Sequence, residues 1–391
     1  LGKIITRLFK SFMITRKTCR VCGEKLKTLF SLGNLCVSTF VKELKKCVKA
    51  PLEMTQCQNK DCGLVQLRHT ADYDLMYSKH YWYRSGLNKV ITDDLKSIVK
   101  DIKKRKAVWI DVGANDGALL SFVRGFKRIG VEPATNLTKE LKKHCEKVFV
   151  KFWEEVKTDK ADVITAIGMF YDSKNPNGFI SNVKNHLKDD GVFIAQLMTA
   201  KQMVEMNDIG NICAEHLEYY DYKSLVYLYE KNGLEIYKVK ENKINGGSYR
   251  LYARHYQKGS VRHKEPKVDW KKFVGAMKKN KADAMKFIKG KNVCIYGAST
   301  KGNTIAQYYG MNSKNIVCAI DKSKEKWGKY MVGSNIPILP EENLSMFKYA
   351  FVMPYGFINL FKEREKKWLA QGGKFLTPFP EFKQIGNTKR V

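Results

Sequence analysis

The 391-residue sequence predicts an α/β fold: a doubly wound, mainly parallel sheet, flanked by a small cysteine-bearing module and a second nucleotide-binding-like series. Three observations carry this. Apolar strand-like runs alternate with amphipathic stretches over residues 85–256. Two cysteine pairs punctuate a short, weakly periodic segment at 15–75, the pattern of a module too small to hold itself together by a core alone. The alternation of strands and helices restarts after a polar linker at 258–267. The expected organisation is a metal-binding module at 15–75, a central cofactor domain at 76–257 and a second Rossmann-like domain at 268–391.

Within the central region, strands are expected at 107–112, 129–132, 163–167 and 192–197, with helices at 95–100 and 176–187. Residues 270–289 read as one charged helix. Further strands follow at 293–296, 316–320 and 350–353. No short-period repeat is present.

The bulk composition sets outer limits. At 44% hydrophobic, the chain can fill two or three cores, and no run of eighteen apolar residues exists to form a transmembrane helix. The first 23 residues contain no acid and place Ile4, Ile5, Leu8, Phe9, Phe12 and Met13 near helical spacing. They read as a basic amphipathic helix, a transit-like segment or a frayed extension. A net charge of +32 favours anionic partners, but it is mostly lysine and spread along the chain, so no obligate nucleic-acid role is expected. A small anionic substrate suits that field better. Ten cysteines without a secretory signal argue against a disulfide framework and for a reduced, cytoplasmic setting. Cys36, Cys47, Cys145, Cys294 and Cys318 read as ordinary buried residues.

The run Val108-Trp109-Ile110-Asp111-Val112-Gly113-Ala114-Asn115-Asp116-Gly117 is a buried strand ending in an acid, followed by glycines four apart. Gly113 permits a sharp turn against a ligand, and Gly117 is expected to open the next helix. Ile129-Gly130-Val131-Glu132-Pro133 ends a second strand in a carboxylate suited to two ribose hydroxyls. The loop lacks the Gly-x-Gly-x-x-Gly that seats a pyrophosphate. A phosphate-free nucleoside such as S-adenosylmethionine fits it better, with Asp111, Gly113, Asn115, Gly117, Glu132 and Pro133 as the cofactor contacts.

Cys19 and Cys22, followed by Gly23, and Cys57 and Cys62, followed by Gly63, form two knuckles that can deliver four thiolates to one tetrahedral Zn²⁺. Four protein ligands leave no open position, so that zinc is expected to be structural.

Several further motifs follow in fixed order: Tyr81-Trp82-Tyr83-Arg84-Ser85-Gly86-Leu87-Asn88, Met169-Phe170-Tyr171-Asp172, Ala214-Glu215-His216-Leu217-Glu218-Tyr219-Tyr220, Asn245-Gly246-Gly247-Ser248, and Tyr296-Gly297-Ala298-Ser299-Thr300-Lys301-Gly302-Asn303-Thr304. With the cysteine module and cofactor loop, this resembles the three-domain sugar C-methyltransferases, which act on nucleotide-linked keto-deoxyhexoses. The resemblance covers nearly all the chain after residue 15. It implies a zinc-binding module, a class I methyltransferase domain and a Rossmann-like carboxyl-terminal domain that helps hold a nucleotide-sugar. It also implies that Tyr83, Glu215 and His216 line the substrate, with His216 as the base. Two departures stand out: Ile212-Cys213-Ala214 lies where many members carry a Tyr-His pair, and Asp172 where some carry a histidine.

Carbon methylation needs an enolate equivalent. His216, whose unperturbed pKa lies near operating pH, suits proton removal. Glu215 or Glu218 would tune it, and Tyr83 or Tyr219 would meet the developing oxyanion. Gly297, Ser299, Lys301 and Asn303, after a strand and at a helix start, are expected to cradle the pyrophosphate, with Tyr219 and Asn245 also on the substrate. Asp321 would meet a ribose hydroxyl or cap the next helix. Sugar O-methylation and a basic, zinc-containing nucleic-acid binder are the competing readings.

Overall fold

The computed structural model describes residues 13–44, 47–77, 81–102 and 107–386, so most of the basic leading segment lies outside the described residues. The first module contains β1 (Met13–Thr15), β2 (Leu26–Cys36), β3 (Phe40–Val41), β4 (Lys49–Cys57), β5 (Val65–Leu67) and β6 (His69–Ala71). Strands β2, β4 and β5 form an antiparallel meander, and β1 pairs with β6. Cys36 and Cys47 are disulfide-bonded, against the expectation that both are ordinary thiols. Their closeness follows from register: the β2–β4 pairing sets Cys36 opposite Lys49, and Val37 N donates to Val48 O, which brings the two Cα atoms to 5.7 Å. Spacing alone carries no such information. Cys294 and Cys318 are buried and Cys145 half-buried.

The central domain follows the predicted alternation. Its strands are β7 (Ala107–Val112), β8 (Phe126–Val131), β9 (Lys147–Phe149), β10 (Ala161–Ile167), β11 (Leu187–Met198), β12 (Glu218–Tyr219), β13 (Leu234–Asn242) and β14 (Ser248–His255). Seven of them form one sheet in the order β13-β14-β11-β10-β7-β8-β9. It is parallel from β9 through β11, and β14 runs antiparallel to both of its neighbours. The order reverses at β7, which opens a crevice at the strands' carboxyl ends between β7 and β10. Helix α1 (Lys89–Lys100) buries Ile91, Leu95 and Ile98 at helical spacing, with the Asn88 side chain accepting from Val90 N as its cap. Helix α2 (Pro176–His186) begins on proline with an Asn175 cap, and α3 (Tyr222–Lys231) begins on an Asp221 capping box.

One expected helix is absent. Residues after Gly117 form turns and a short 3₁₀ segment, Leu120–Phe122. Gly117 and Gly125 both take positive φ (81° and 74°), which breaks helical geometry at either end of the stretch.

The carboxyl-terminal domain begins with α4 (Trp270–Ile288) and continues through β15 (Val293–Tyr296), α5 (Thr300–Tyr309), β16 (Ala319–Asp321), β17 (Tyr330–Met331), β18 (Ile336–Pro340), β19 (Tyr349–Val352), β20 (Lys374–Thr377) and β21 (Lys383–Ile385). Its sheet runs β21-β20-β19-β15-β16-β18-β17-β3, so a strand of the first module closes its edge. Strand β12 in turn joins the module's sheet beside β5. The three regions therefore share strands and cores. Leu32, Phe40 and Leu52 of the module pack in one core with Phe273, Ile305 and Met331, while Cys19, Cys62 and Leu64 pack with Phe170, Phe179 and Leu228. At the second seam, Arg20 Nε lies 3.3 Å from Glu218 with both side chains fully buried, and Asn177 and Lys231 donate to the Val21 carbonyl. Among the described residues no helix is long and apolar enough to cross a membrane.

Candidate active site

The loop after β7 is shaped by backbone requirements. Gly113 sits at φ 69°, and a Cβ there would come 2.6 Å from Met169 Cγ, so glycine suits both the backbone turn and the close approach of Met169. Asn115 is left-handed (φ 53°), and its backbone N donates to Glu132 Oε2 at 3.0 Å. Glu132 Oε1 accepts from Ala134 N at 2.8 Å. Each carboxylate oxygen thus has one backbone donor and a remaining lone pair for a ligand hydroxyl. Burial pushes the Glu132 pKa up to about 7 despite those two bonds.

A cavity opens over this loop, lined by Gly113, Asn115, Val131, Glu132, Pro133, Phe152 and Gly168 among others. Largely apolar walls, with the Glu132 carboxylate at the end of the second strand, suit an adenosine. Asp111 and Gly117 stand apart from that wall. Asp111 accepts a 2.6 Å bond from Thr165 beneath the loop, and burial raises its pKa to about 7. Gly117 lets the chain pass His144, whose Cδ2 would lie 2.9 Å from a Cβ. Both shape the loop from behind. Removing one charge-assisted acceptor costs ~1.5–3 kcal/mol, so Glu132→Gln should weaken S-adenosylmethionine binding roughly tenfold to a hundredfold. Titration calorimetry checks this, and unchanged affinity refutes the assignment.

The strip at 81–86 is strapped across the loop. Asn115 Oδ1 accepts from Ser85 N, Asn115 Nδ2 donates to Tyr83 O, and Asp116 accepts from Gly86 N. Asn136 exchanges both bonds with the Tyr81 backbone. Tyr83, 46% exposed, consequently forms a wall between this cavity and a second one.

The second cavity shares Tyr81, Tyr83, Ser85, Ile167, Gly168 and Asp172 with the first. Its remaining wall brings together Glu215, His216, Asn245 and Lys301, drawn from stretches that lie far apart in the sequence. His216 Nδ1 lies 2.8 Å from the Asn211 carbonyl, which fixes that nitrogen as the protonated one and leaves Nε2 as the lone-pair side. The imidazole packs edge-on against Tyr171. Burial, helped by the Lys301 charge, lowers its pKa to about 3, whereas burial raises Glu215 to about 7. Enclosure thus moves the imidazole away from the near-neutral pKa of its free form and brings Glu215 toward neutrality. Opposite stands a polar wall in which Gln196 donates to Asp94 and accepts from Arg250 and Asn242.

Several expected substrate residues are placed differently. Tyr219 belongs to β12, and its hydroxyl spends its hydrogen on the carbonyls of Asn211 (3.2 Å) or His216 (3.1 Å), so it holds the loop from outside the cavity. Ser299 caps α5 by accepting from Gly302 N. Gly297 passes Pro354 at a distance that leaves a Cβ only 3.0 Å. Asn303 is fully buried with neither amide atom hydrogen-bonded to a described residue. Lys301 does not reach outward to form a pyrophosphate cradle: it turns into the cavity, 2.5 Å from Asn211 Oδ1. Asp321 binds its own loop through Ala298 N, Ser323 N and Lys326. Asn211, Asn136 and Gln196 escape sequence reading because no glycine or spacing signal marks them.

The sulfurs of Cys19, Cys22, Cys57 and Cys62 lie within 4.8 Å of one another, with Cys22–Cys57 at 3.3 Å and Cys19–Cys62 at 3.8 Å. A tetrahedron with ~2.3 Å metal–sulfur bonds has edges of about 3.8 Å. The Cys62 hydrogen bond favours a Cys19 thiolate, with its pKa lowered to about 5. Cys57 is pushed up to about 12 by burial, the Cys22 bond and the Cys19 charge. Four such thiolates can coexist only around a cation.

Family models place this architecture. One for a methyltransferase domain matches residues 83–239, and one for a C-methyltransferase C-terminal domain matches residues 243–380. The chain is 25% identical over 366 residues to the C-methyltransferase NovU of Streptomyces niveus, spanning 85% of this chain and 86% of NovU. Partial likenesses to solved structures include the mitomycin 7-O-methyltransferase MmcR (16% identity, 44% of this chain, 55% of that one, TM-score 0.37). A second is a Burkholderia thailandensis 1,6-didemethyltoxoflavin-N1-methyltransferase (13% identity, 42% of this chain, 78% of that one, TM-score 0.36). The strand order, the cofactor cavity and the two adjoining family matches converge on one conclusion: this chain is an S-adenosylmethionine-dependent methyltransferase that joins a methyltransferase domain to a C-methyltransferase C-terminal domain.

Proposed function

We propose that the enzyme methylates a carbon next to the ketone of a nucleotide-linked deoxysugar. The observation that carries this reading is the shared wall of the two cavities: a buried acid–base cluster stands directly beside the methyl-donor site. S-adenosylmethionine, when bound, supplies an electrophilic methyl group. The acceptor must therefore be made nucleophilic by the protein.

Glu215 is the better-matched base, since its pKa of about 7 lies at the operating pH. Proton transfer to Glu215 exchanges one negative charge for another inside the pocket. Transfer to His216 would instead create a buried imidazolium facing Lys301, and burial, with the Lys301 charge, already depresses its pKa. Neutral His216 offers Nε2 as an acceptor for a sugar hydroxyl, and the Asp94–Gln196–Arg250 wall supplies further polar partners.

A small cavity beside Glu215, lined by Ser38, Thr39, Trp82, Tyr83 and Thr300, continues the acceptor pocket toward the first module. Lys329 lies over the Trp82 ring and Lys326 over Phe40, giving this side the positive charge a diphosphate favours. The cysteine cluster supports a structural Zn²⁺ held by Cys19, Cys22, Cys57 and Cys62, away from the reacting groups.

The purified protein, incubated with a thymidine-diphosphate-linked keto-6-deoxyhexose and methyl donor, should yield a product 14 mass units heavier. The added methyl should sit on carbon by NMR. Methyl on oxygen replaces this reading with sugar O-methylation.

A further inference from the structure

Lys301 is the one group in the acceptor cavity whose position departs most from what its motif suggests. It is the second residue of α5, in the carboxyl-terminal domain, yet its ammonium enters the central domain's pocket. There it donates to Asn211 Oδ1 at 2.5 Å and lies 3.0 Å from Met198 Sδ. An ammonium has three donors; Asn211 takes one, and a thioether is a weak acceptor, so donor capacity remains for a ligand in the cavity.

Asn211 is itself immobilised. Its amide donates to Asp208 Oδ2 at 3.0 Å, and its carbonyl receives His216 Nδ1 and Tyr219 Oη. One asparagine therefore fixes Lys301 through its side chain and His216 through its backbone. The helix start carrying Lys301 is anchored as well, because Ser38 Oγ of the first module donates to Thr300 O at 3.1 Å. Gly210 allows the close seam: a Cβ there would lie 3.0 Å from Ile305 Cδ1 and 3.3 Å from Lys301 Cβ.

The charges facing Lys301 argue against a phosphate grip. Asp208, Asp172 and Glu215 all interact with it electrostatically, and burial lowers its pKa in spite of them. A diphosphate seated among those carboxyl groups would add uncompensated negative charge to an enclosed pocket. A single oxyanion generated there as Glu215 takes up the proton leaves the pocket's net charge unchanged.

Resting on the carbon-methylation reading, we propose that Lys301 is a catalytic residue whose ammonium donates to the enolate oxygen of the acceptor. The C–H bond next to the ketone breaks, the proton goes to Glu215, and the electron pair moves onto the carbonyl oxygen at Lys301. The oxygen then regains its double bond as the enolate carbon attacks the donor's methyl group, the methyl–sulfur bond breaks with its electron pair left on sulfur, and Glu215 later returns its proton to solvent. The carboxyl-terminal domain thereby completes the central domain's chemistry as well as holding substrate.

The test is hydrogen–deuterium exchange at the carbon beside the ketone of the thymidine-diphosphate-linked keto-6-deoxyhexose, in D₂O without methyl donor. Removing one oxyanion donor typically costs ~10²–10³ in rate. Lys301→Met should slow exchange at least about a hundredfold at saturating sugar while binding it within about tenfold of wild type. S-adenosylhomocysteine affinity verifies folding, and Lys301→Arg, retaining the charge, should recover at least about tenfold of the lost rate. Exchange within about threefold of wild type in Lys301→Met overturns the proposal. So does sugar binding weakened more than a hundredfold with exchange intact at saturation, the result a phosphate grip predicts. If Lys301→Met does not fold, a folded Lys301→Arg devoid of exchange overturns it. A wild-type enzyme with no exchange and methyl on oxygen fails the function proposed above, a result distinguishable from failure of Lys301 alone.

Discussion

Replacing Glu215 with glutamine should lower methyl transfer at neutral pH at least about a hundredfold, the usual contribution of a positioned base being ~10²–10⁴. The expected pH dependence sharpens this. Glu215 is held near 7 by burial, so turnover should rise with pH as the carboxylate forms and level off above about 7. That ascending limb should vanish in Glu215→Gln. His216→Asn should leave the limb in place, because the imidazole stays neutral down to about pH 3. Its loss should be smaller, on the order of tenfold, as expected for a residue that positions the acceptor. Steady-state kinetics from pH 5 to 9 on both variants decide between the residues. If Glu215→Gln keeps the limb and His216→Asn loses it, the imidazole is the base.

The second large effect is on the cysteine cluster. Cys62 has no exposed surface and packs in the core that includes Phe170 and Phe179, so a serine there removes both a metal ligand and an apolar contact. Structural zinc contributes an apparent ~10–16 kcal/mol in zinc-finger peptides. Cys62→Ser should therefore drop bound zinc from about one equivalent to near zero and lower the melting temperature. Metal analysis and calorimetry check both. The damage should reach the reaction, since Arg20 beside the knuckle pairs with Glu218, two residues from His216. Full metal content in the variant, or an unchanged melting point without metal, refutes the assignment.

Much of the site is legible in the sequence because backbone geometry marks it. Gly113 announces itself by residue type, and Glu132 by ending a strand; both line the cofactor cavity. The pairs of cysteines likewise read directly as a cluster. What escapes is everything set by the meeting of domains. Lys301 sits in a glycine-bearing turn that resembles an anion site, and only the packing of α5 against residues 209–211 turns it inward. Glu215 and His216 exchange their expected pKa ordering because enclosure disfavours carboxylate and imidazolium alike, which raises the pKa of the acid and lowers that of the base. The Cys36–Cys47 bond is decided by strand register. The missing helix after Gly117 is decided by a second glycine that the motif does not include.

The edge strand β3 bears on how enzymes of this architecture can be recombined. Phe40 and Val41 pair with Met331 and Tyr330, and Gln307 exchanges hydrogen bonds with the Cys36 backbone. A hybrid cut at the polar linker would inherit its last sheet from one parent and that sheet's final strand from the other. The integrity of that sheet is then a property of two stretches far apart in the reading frame. An exchange that respects the fold carries residues 36–47 together with everything after the linker.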